Sequence, residues 1–338
     1  MNKKIKIAIN GFGRIGRAFL KIAWDKPEIE IVAINDLGSV ENLIYLLKYD
    51  SVYDRWEKDV EIKKDSILIN GKEIKFLTEK DTTKLPWKEL GVDVVVESTG
   101  IFTSYEKSKF HLEQGAKKVV ISGPSKDDKA KTILMSINED SLDTCDISSN
   151  GSCTTNATSP LISILNEKIG IEKAMLNTVH GYTSTQSLVD SPCESDFRRG
   201  RAAAQNIVPS STGAAIAITK ALPEFEEKFD GIACRVPVIS GSMVDITFIA
   251  KKDTSVEEVN DILKEAANDK KWEKILAVTE EPLVSSDILK EPYASLVDLK
   301  MTRVVDGNLV KVMAWYDNEM GYTFTLVDHV IKTGENIK

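Results

Sequence analysis

The first 36 residues constrain the fold more tightly than any other stretch of the chain. KIKIAIN (4–10) alternates apolar and polar side chains as a strand does, and GFGRIGRAFLKIAW (11–24) follows it. In the second run Ile15, Phe19, Leu20, Ile22 and Ala23 form an apolar helical stripe. A further β-branched run, IEIVAIND (29–36), ends in Asp36. Gly11, Gly13 and Gly16 take the G-x-G-x-x-G spacing between strand and helix. The first permits a tight turn, the second lets backbone approach a pyrophosphate, and the third lets helix and sheet pack closely. The helix start offers unsatisfied N–H groups to phosphates. A glycine-rich turn opening an ordinary α/β helix would satisfy the glycines alone. The flanking elements and Asp36 select a dinucleotide unit, because a carboxylate about 20 residues on can accept from a ribose 2′-hydroxyl. A 2′-phosphate would meet that carboxylate with like charge, so NAD is favoured.

The rest of the first half extends this unit. VDVVVEST (92–99) and KKVVISG (117–123) read as strands ending in small or hydroxyl residues, as at the carboxyl edge of a parallel sheet. KSKFHLEQGA (107–116) predicts a crossover helix, with His111 as a structural histidine. ILINGKEIKFL predicts an antiparallel hairpin turning at Asn70-Gly71. A chain of 338 residues suits two domains. Its net charge of −8 argues against non-specific binding to nucleic acid or anionic membranes. No apolar run reaches the roughly 18 residues of a membrane span, and the N-terminus reads as the first strand and not as a signal peptide. Cys145, Cys153, Cys193 and Cys234 form no CxxC pair, and His111, His180 and His329 are scattered. Neither a disulfide framework nor a zinc site fits, so a reducing cytoplasmic setting and no metal are expected.

The second half holds the reactive candidates. SNGSCTTNATSP (149–160) places Cys153 in a polar run. Ala157, Leu161, Ile162, Ile164 and Leu165 predict a helix starting beside it. A thiol there gains thiolate character from the positive helix end, and nearby N–H groups can receive an oxyanion. AMLNTVHGYTSTQ (174–186) predicts a strand delivering His180. On these residues alone, a packing cysteine with a hydrogen-bonded core histidine stands beside a nucleophile with its base. DFRRGRAAAQNIVPSSTGAA (196–215) gathers Arg198, Arg199 and Arg201 before Ser210-Ser211-Thr212-Gly213, and ACRVPV (233–238) sets Arg235 in an apolar run. Guanidinium and hydroxyl groups together suit phosphate oxygens. A solvated charge cluster describes Arg198 better than Arg235. MVDITFIA, SLVDLKMTRVV and LVKVMAWYD predict long strands, hence a mainly antiparallel sheet. TFTLVDHVIKTG (323–334) predicts a closing helix with a structural His329. The fold expected is α/β: a Rossmann-type NAD-binding domain and a second α+β catalytic domain. The first spans 1–152, completed by a C-terminal helix at 317–338, and the second spans 153–316.

AINGFGRIGR, SNGSCTTN, TVHGYTSTQ, RRGRAAAQNIVPSSTGAA, RVP and WYDNEMGY, in this order, resemble the phosphorylating glyceraldehyde-3-phosphate dehydrogenases through nearly the whole chain. The resemblance implies Cys153 as nucleophile and His180 as acid–base residue. It implies a thioester route from D-glyceraldehyde 3-phosphate, inorganic phosphate and NAD to 1,3-bisphosphoglycerate and NADH. Thr183 and Arg235, with Thr185 close by, match the site for the substrate phosphate. Ser152, Thr154, Thr212 and Gly213 match the site for attacking phosphate, with Arg199 in the same loop region. Gly11, Gly13, Arg14, Ile15 and Gly16 match the pyrophosphate turn and Asp36 the ribose contact. Thr99 and Gly100 match the loop below the cofactor, and Asn318 the group that holds the nicotinamide carboxamide. Residues 182–204 resemble the loop that approaches a neighbouring subunit's cofactor, and a homotetramer is implied.

Several positions depart from the family pattern. Ala157 stands where many members have a second cysteine, and Gly151 and Gly181 replace residues that are commonly alanine or serine. RVPVISGSMVD differs from the usual RVPTPNVSVVD, with Ser240 in place of an asparagine. Ser191-Pro192 half-keeps the Leu-Pro pair of NAD-selective members, so NAD with some NADP use is expected. One rival is the homologous erythrose-4-phosphate dehydrogenase, which usually alters the HGYT threonine and the SSTG cluster; both are intact here. The other is a non-enzymatic RNA-binding or adhesion protein on the same scaffold, for which no basic stripe with interleaved aromatics speaks.

Overall fold

The structure, a computed structural model, describes residues 3–194 and 196–337. The chain forms two compact units, one of Met1–Gly151 with Leu326–Lys338 and one of Ser152–Thr325. The sequence boundaries were 152/153 and 316/317. Ser152 belongs instead with the second unit, where it caps the helix Cys153–Lys168, and the later change of unit falls inside the closing helix Met320–Glu335.

In the first unit a nine-stranded sheet runs Lys131–Thr132, Ile147–Ser149, Lys118–Ile121, Val94–Glu97, Ile5–Asn10, Ile29–Asn35, Lys72–Leu77, Ser66–Ile69, Val60–Ile62. All neighbours are parallel as far as Lys72–Leu77, and the last two strands are antiparallel. Ile7, Ile9, Val94, Val95, Val96, Val119 and Val120 are fully buried, as expected for strands covered on both faces. The central register sets Asn10 beside both Asn35 and Glu97, so three strand ends lie side by side. The Asn70-Gly71 hairpin forms with φ of 46° and 78°, the left-handed pair that matches strand twist.

One expectation for this unit fails. Residues 107–116 do not make a single helix; Tyr105–Ser108 and Phe110–Glu113 are separate turns meeting at Lys109. Ser108 Oγ turns to the Phe102 carbonyl at 2.8 Å, and Leu112 N bonds Lys109 O in a tighter i→i+3 pattern. From the closing helix, Leu326, Val327 and Val330 are fully buried. His329 donates from Nδ1 to Asn150 Oδ1 (3.0 Å) and accepts at Nε2 from Ser148 Oγ (2.8 Å). Burial pushes its pKa down to about 3, so it is a neutral structural histidine.

The second unit holds an eight-stranded sheet in the order Val208–Ser211, Phe229–Val236, Ile171–Gly181, Ser242–Ala250, Leu309–Tyr316, Ser295–Asp298, Leu276–Thr279. Arg303–Val305 also pairs with Leu309–Tyr316. Among the described residues only Ile171–Gly181 with Phe229–Val236, and Leu276–Thr279 with Ser295–Asp298, run parallel. Strict alternation of buried residues along Ser242–Ala250 marks one face as core. SLVDLKMTRVV is not one strand. Asp298 accepts from Lys300 N at 3.2 Å and starts a 3₁₀ turn, Leu299–Met301, before Arg303–Val305 resumes. Among the described residues no helix is long and apolar enough to cross a membrane, and no side-chain cluster could hold a metal.

Candidate active site

Ser152 sets the position of Cys153. Its Oγ accepts from Thr155 N at 3.0 Å, and its own N–H donates to Thr155 Oγ1 at 3.2 Å. This is a reciprocal cap with threonine in the usual acidic place, and it makes Cys153 the first residue of a 16-residue helix. His180 comes from the end of Ile171–Gly181, where parallel pairing sets it opposite Arg235. Cys153 Sγ lies 3.3 Å from His180 Nε2. On the other side of the ring, Nδ1 lies 2.7 Å from Arg235 Nη1 and 2.7 Å from Gly181 O, and Nη1 also donates to that carbonyl at 3.0 Å. A guanidinium only donates and a carbonyl only accepts, so Arg235 and Gly181 O compete for Nδ1, and the contact that wins sets which ring nitrogen carries the proton.

The charge state differs from the expectation of a helix-stabilised thiolate. Burial pushes the Cys153 thiol up, opposed by the Arg235 charge, by the N–H and hydroxyl of Thr154 and by the N–H of Cys153. Burial, then Arg235, pushes His180 down to about 3. Desolvation outweighs the helix terminus and favours a neutral thiol beside a neutral imidazole.

Tyr316 is the residue that sequence reasoning missed. Its fully buried hydroxyl lies 2.9 Å from Thr154 Oγ1 and 2.8 Å from Thr178 Oγ1, and Thr178 Oγ1 donates to Met243 O at 3.1 Å. The protons therefore run in one direction: Thr154 to Tyr316, Tyr316 to Thr178, Thr178 to backbone. Its ring meets His180 edge to face at 5.9 Å. Its place at the start of the quoted WYDNEMGY stretch was the available signal.

Two departures from the family pattern account for each other. A Cβ on Gly181 would lie 3.0 Å from both Val238 O and Ile239 O. Tyr182 N donates to Val238 O at 3.0 Å, so the altered 238–241 segment rests on bare backbone beside His180. Ser242 Oγ accepts from Gly181 N (3.1 Å) and donates to Asn318 Oδ1 (2.6 Å). Ser240 Oγ reaches Asp317 Oδ1 at 3.0 Å and Asn318 Oδ1 at 3.3 Å. With its oxygen so engaged, the buried Asn318 amide has N–H groups left to offer.

Of the anion-site candidates, Thr183 and Thr185 share a 2.9 Å hydroxyl contact. Arg199 donates from Nε to Ser210 Oγ (2.9 Å) and from Nη2 to Ser211 O (3.4 Å). Burial pushes the Arg235 pKa down, and the charge of Arg199 adds to that, so two guanidiniums sit close enough to interact. Thr212 Oγ1 accepts from Ala214 N (3.2 Å), and Gly213 precedes the helix Ala214–Ala221. The Ser152 hydroxyl caps the helix, and the Thr154 hydroxyl meets Tyr316 and the Cys153 sulfur. Within the 182–204 loop, Ser195 lies outside the described residues.

In the first unit, a Cβ on Gly16 would fall 2.1 Å from Gly11 O, whereas space beside Gly13 is open. The helix Arg14–Ala23 has no side-chain cap. Asp36 accepts from Phe12 N (2.6 Å) and Gly38 N (2.8 Å), which fixes its carboxylate at the end of the second strand. The Arg14 side chain pairs with Asp50 at 3.0 Å and lies over Tyr53, and Ile15 is half-buried in the first helical turn. Gly100 is left-handed (φ 74°), and Thr99 N donates to Glu97 Oε1 at 2.9 Å. An uncapped helix start, an open cradle and a held carboxylate fit a dinucleotide.

A nucleotide unit and a thiol–imidazole–guanidinium cluster on one chain fit the class of NAD-dependent oxidoreductases. Residues 5–105 match the glyceraldehyde 3-phosphate dehydrogenase NAD binding domain, and residues 152–318 match the C-terminal domain of the same enzyme. The chain is 48% identical over 327 residues to a glyceraldehyde-3-phosphate dehydrogenase of Clostridium pasteurianum, covering 95% of this chain and 96% of that one. It is 47% identical over 326 residues to the Geobacillus stearothermophilus enzyme and 46% over 324 to one from Aspergillus oryzae, each covering 96% of both chains. The chain belongs to the glyceraldehyde-3-phosphate dehydrogenase family.

Proposed function

We propose that the protein oxidises D-glyceraldehyde 3-phosphate with NAD and inorganic phosphate, giving 1,3-bisphosphoglycerate through a thioester on Cys153. The observation that carries this reading is the 3.3 Å approach of Cys153 Sγ to His180 Nε2, with Arg235 on the far side of the ring. Arg235 and Thr183, with Thr185, bind the substrate phosphate; Arg199, Thr212 and Gly213 receive inorganic phosphate, with Ser152 and Thr154 bordering the nucleophile. As Arg235 turns to phosphate oxygens, His180 Nδ1 donates to Gly181 O and the Nε2 lone pair faces the thiol. His180 then takes the thiol proton, Sγ attacks the aldehyde carbon, and backbone N–H groups at the helix start receive the oxyanion. The imidazolium returns its proton to that oxygen, giving the hemithioacetal hydroxyl and a neutral His180. His180 next removes the hemithioacetal hydroxyl proton. Bound NAD supplies the hydride acceptor. Attack of a phosphate oxygen on the thioester carbon forms the acyl phosphate and breaks the C–S bond; the Cys153 thiolate leaves and takes back the proton held by His180.

Gly11, Gly13, Arg14, Ile15 and Gly16 hold the pyrophosphate, Asp36 the adenosine ribose, Thr99 and Gly100 the loop beneath, and Asn318 N–H groups the carboxamide oxygen. NAD is preferred, with some NADP use. The protein is a cytoplasmic homotetramer; a cysteine spacing that suits no disulfide framework supports the compartment, and exposed Leu188, Val189, Phe197 and Ile207 support association. Steady-state NADH production is the test, with phosphate present and omitted, on glyceraldehyde 3-phosphate and erythrose 4-phosphate. Phosphate-dependent turnover of the triose is expected, with a loss of about 10²–10⁴ in His180→Asn. Equal sustained rates without phosphate would reject the phosphorylating reaction.

A further inference from the structure

We infer that Glu97 and His111 are positioning residues for the dinucleotide, holding together the three strand ends that carry Gly11, Asp36 and Thr99. The inference rests on the NAD reading above and concerns the first unit alone. Asn10, Asn35 and Glu97 are neighbours in register, and each directly precedes one turn: Gly11 follows Asn10, Asp36 follows Asn35, and Ser98-Thr99 follows Glu97. All three are buried, at 2%, 6% and 2% exposure, where apolar side chains would ordinarily fill a parallel sheet.

Their hydrogen bonds form one connected belt. Glu97 Oε2 accepts from Asn10 Nδ2 (2.6 Å) and His111 Nε2 (3.0 Å), and Oε1 accepts from Thr99 N (2.9 Å) and Thr99 Oγ1 (2.5 Å). Asn35 Nδ2 donates to Asn10 Oδ1 (2.8 Å) and to Glu79 O (3.1 Å), while Glu79 N donates back to Asn35 Oδ1 (2.9 Å). At the other end the Trp87 indole, which can only donate, bonds His111 Nδ1 at 2.9 Å. His111 Nδ1 must therefore accept, so its ring proton is on Nε2 and points at Glu97. Every donor in the belt has one direction, and a satisfied buried network of this kind specifies a single geometry.

The belt bears on the turns by contact. Thr99 is drawn back by both of its bonds to Glu97, and its N–H then sits 2.5 Å from where a Gly11 Cβ would be. Ser98 Oγ donates to Gly11 O at 2.7 Å. Gly11 N in turn donates to Asn35 O at 2.8 Å. A shift of Glu97 thus moves the Thr99 loop against the Gly11 turn.

Calorimetric titration of NAD, and of ADP-ribose, which lacks the nicotinamide, tests this on Glu97→Gln, His111→Gln and Trp87→Phe. Glu97→Gln places an N–H donor against existing donors, so both dissociation constants are expected to rise about tenfold. Trp87→Phe removes one bond at the rim and should raise them about threefold. In steady state KM for NAD should rise more than kcat falls. Nitrogen-15 NMR of the imidazoles should find His111 protonated at Nε2 and not at Nδ1. Lower unfolding temperatures with both dissociation constants unchanged in all three variants would make the belt merely structural and overturn the inference. If Glu97→Gln does not fold, Trp87→Phe and the tautomer decide. Failure of the unaltered protein to bind NAD would instead overturn the functional reading.

Discussion

Arg235 Nη1 stands 2.7 Å from His180 Nδ1, so the guanidinium reinforces burial in keeping the imidazole beside Cys153 neutral and competes with the Gly181 carbonyl for that nitrogen. Its positive charge lowers the Cys153 thiol pKa and lowers that of His180. Arg235→Leu should therefore raise both. At a fixed pH near 8, iodoacetamide alkylation of Cys153 should slow by about tenfold for each unit gained by the thiol. An unchanged or faster rate would contradict this electrostatic role.

Gly181→Val tests the packing of the altered 238–241 segment. The added side chain meets two backbone oxygens that cannot move as a flexible side chain would. Overpacking of this kind costs about 1–3 kcal/mol, which urea denaturation can read. Because Gly181 O also serves Arg235, kcat should fall in the same variant. Normal stability and activity together would show that the segment yields freely.

His329 gives the first unit an acid-sensitive term. Its folded pKa of about 3 lies below the ordinary 6.5, so between those values the unfolded chain holds more protons. Its contribution is fully present above about pH 6.5 and is lost as pH falls toward 3. His329→Gln should flatten the fall of the urea midpoint between pH 7 and pH 4. An identical slope in the variant would assign that fall to other groups.

Asp36→Ala should shift cofactor choice. Removing the carboxylate removes repulsion of a 2′-phosphate and a ribose partner together. The kcat/KM ratio of NADP to NAD should rise by about tenfold or more. A constant ratio would place discrimination elsewhere in the chain.

What could be read from the sequence was largely local. The Gly11–Gly16 turn, the Asn70-Gly71 hairpin and the helix beginning at Cys153 each follow from residues adjacent in the chain. The break at Lys109 and the turn after Asp298 were invisible, since single side-chain bonds from Ser108 and Asp298 override good periodicity. The partners of His111 and the hydroxyl chain through Tyr316 join distant residues that only folding brings together. The neutral state of Cys153 and His180 was equally hidden, because helix position is legible and desolvation is not.

The bonds from His329 to Ser148 and Asn150 span 181 and 179 residues. During biosynthesis the segment from Leu326 onward emerges after the whole of Ser152–Thr325, which is continuous. The half of the protein that begins the chain is therefore the last to be completed. Until that segment emerges it waits with the surface that Leu326, Val327 and Val330 will cover still wet. A nascent chain would thus have its cysteine unit assembled before its nucleotide unit, and loss of the segment from Leu326 onward would strike the N-terminal half.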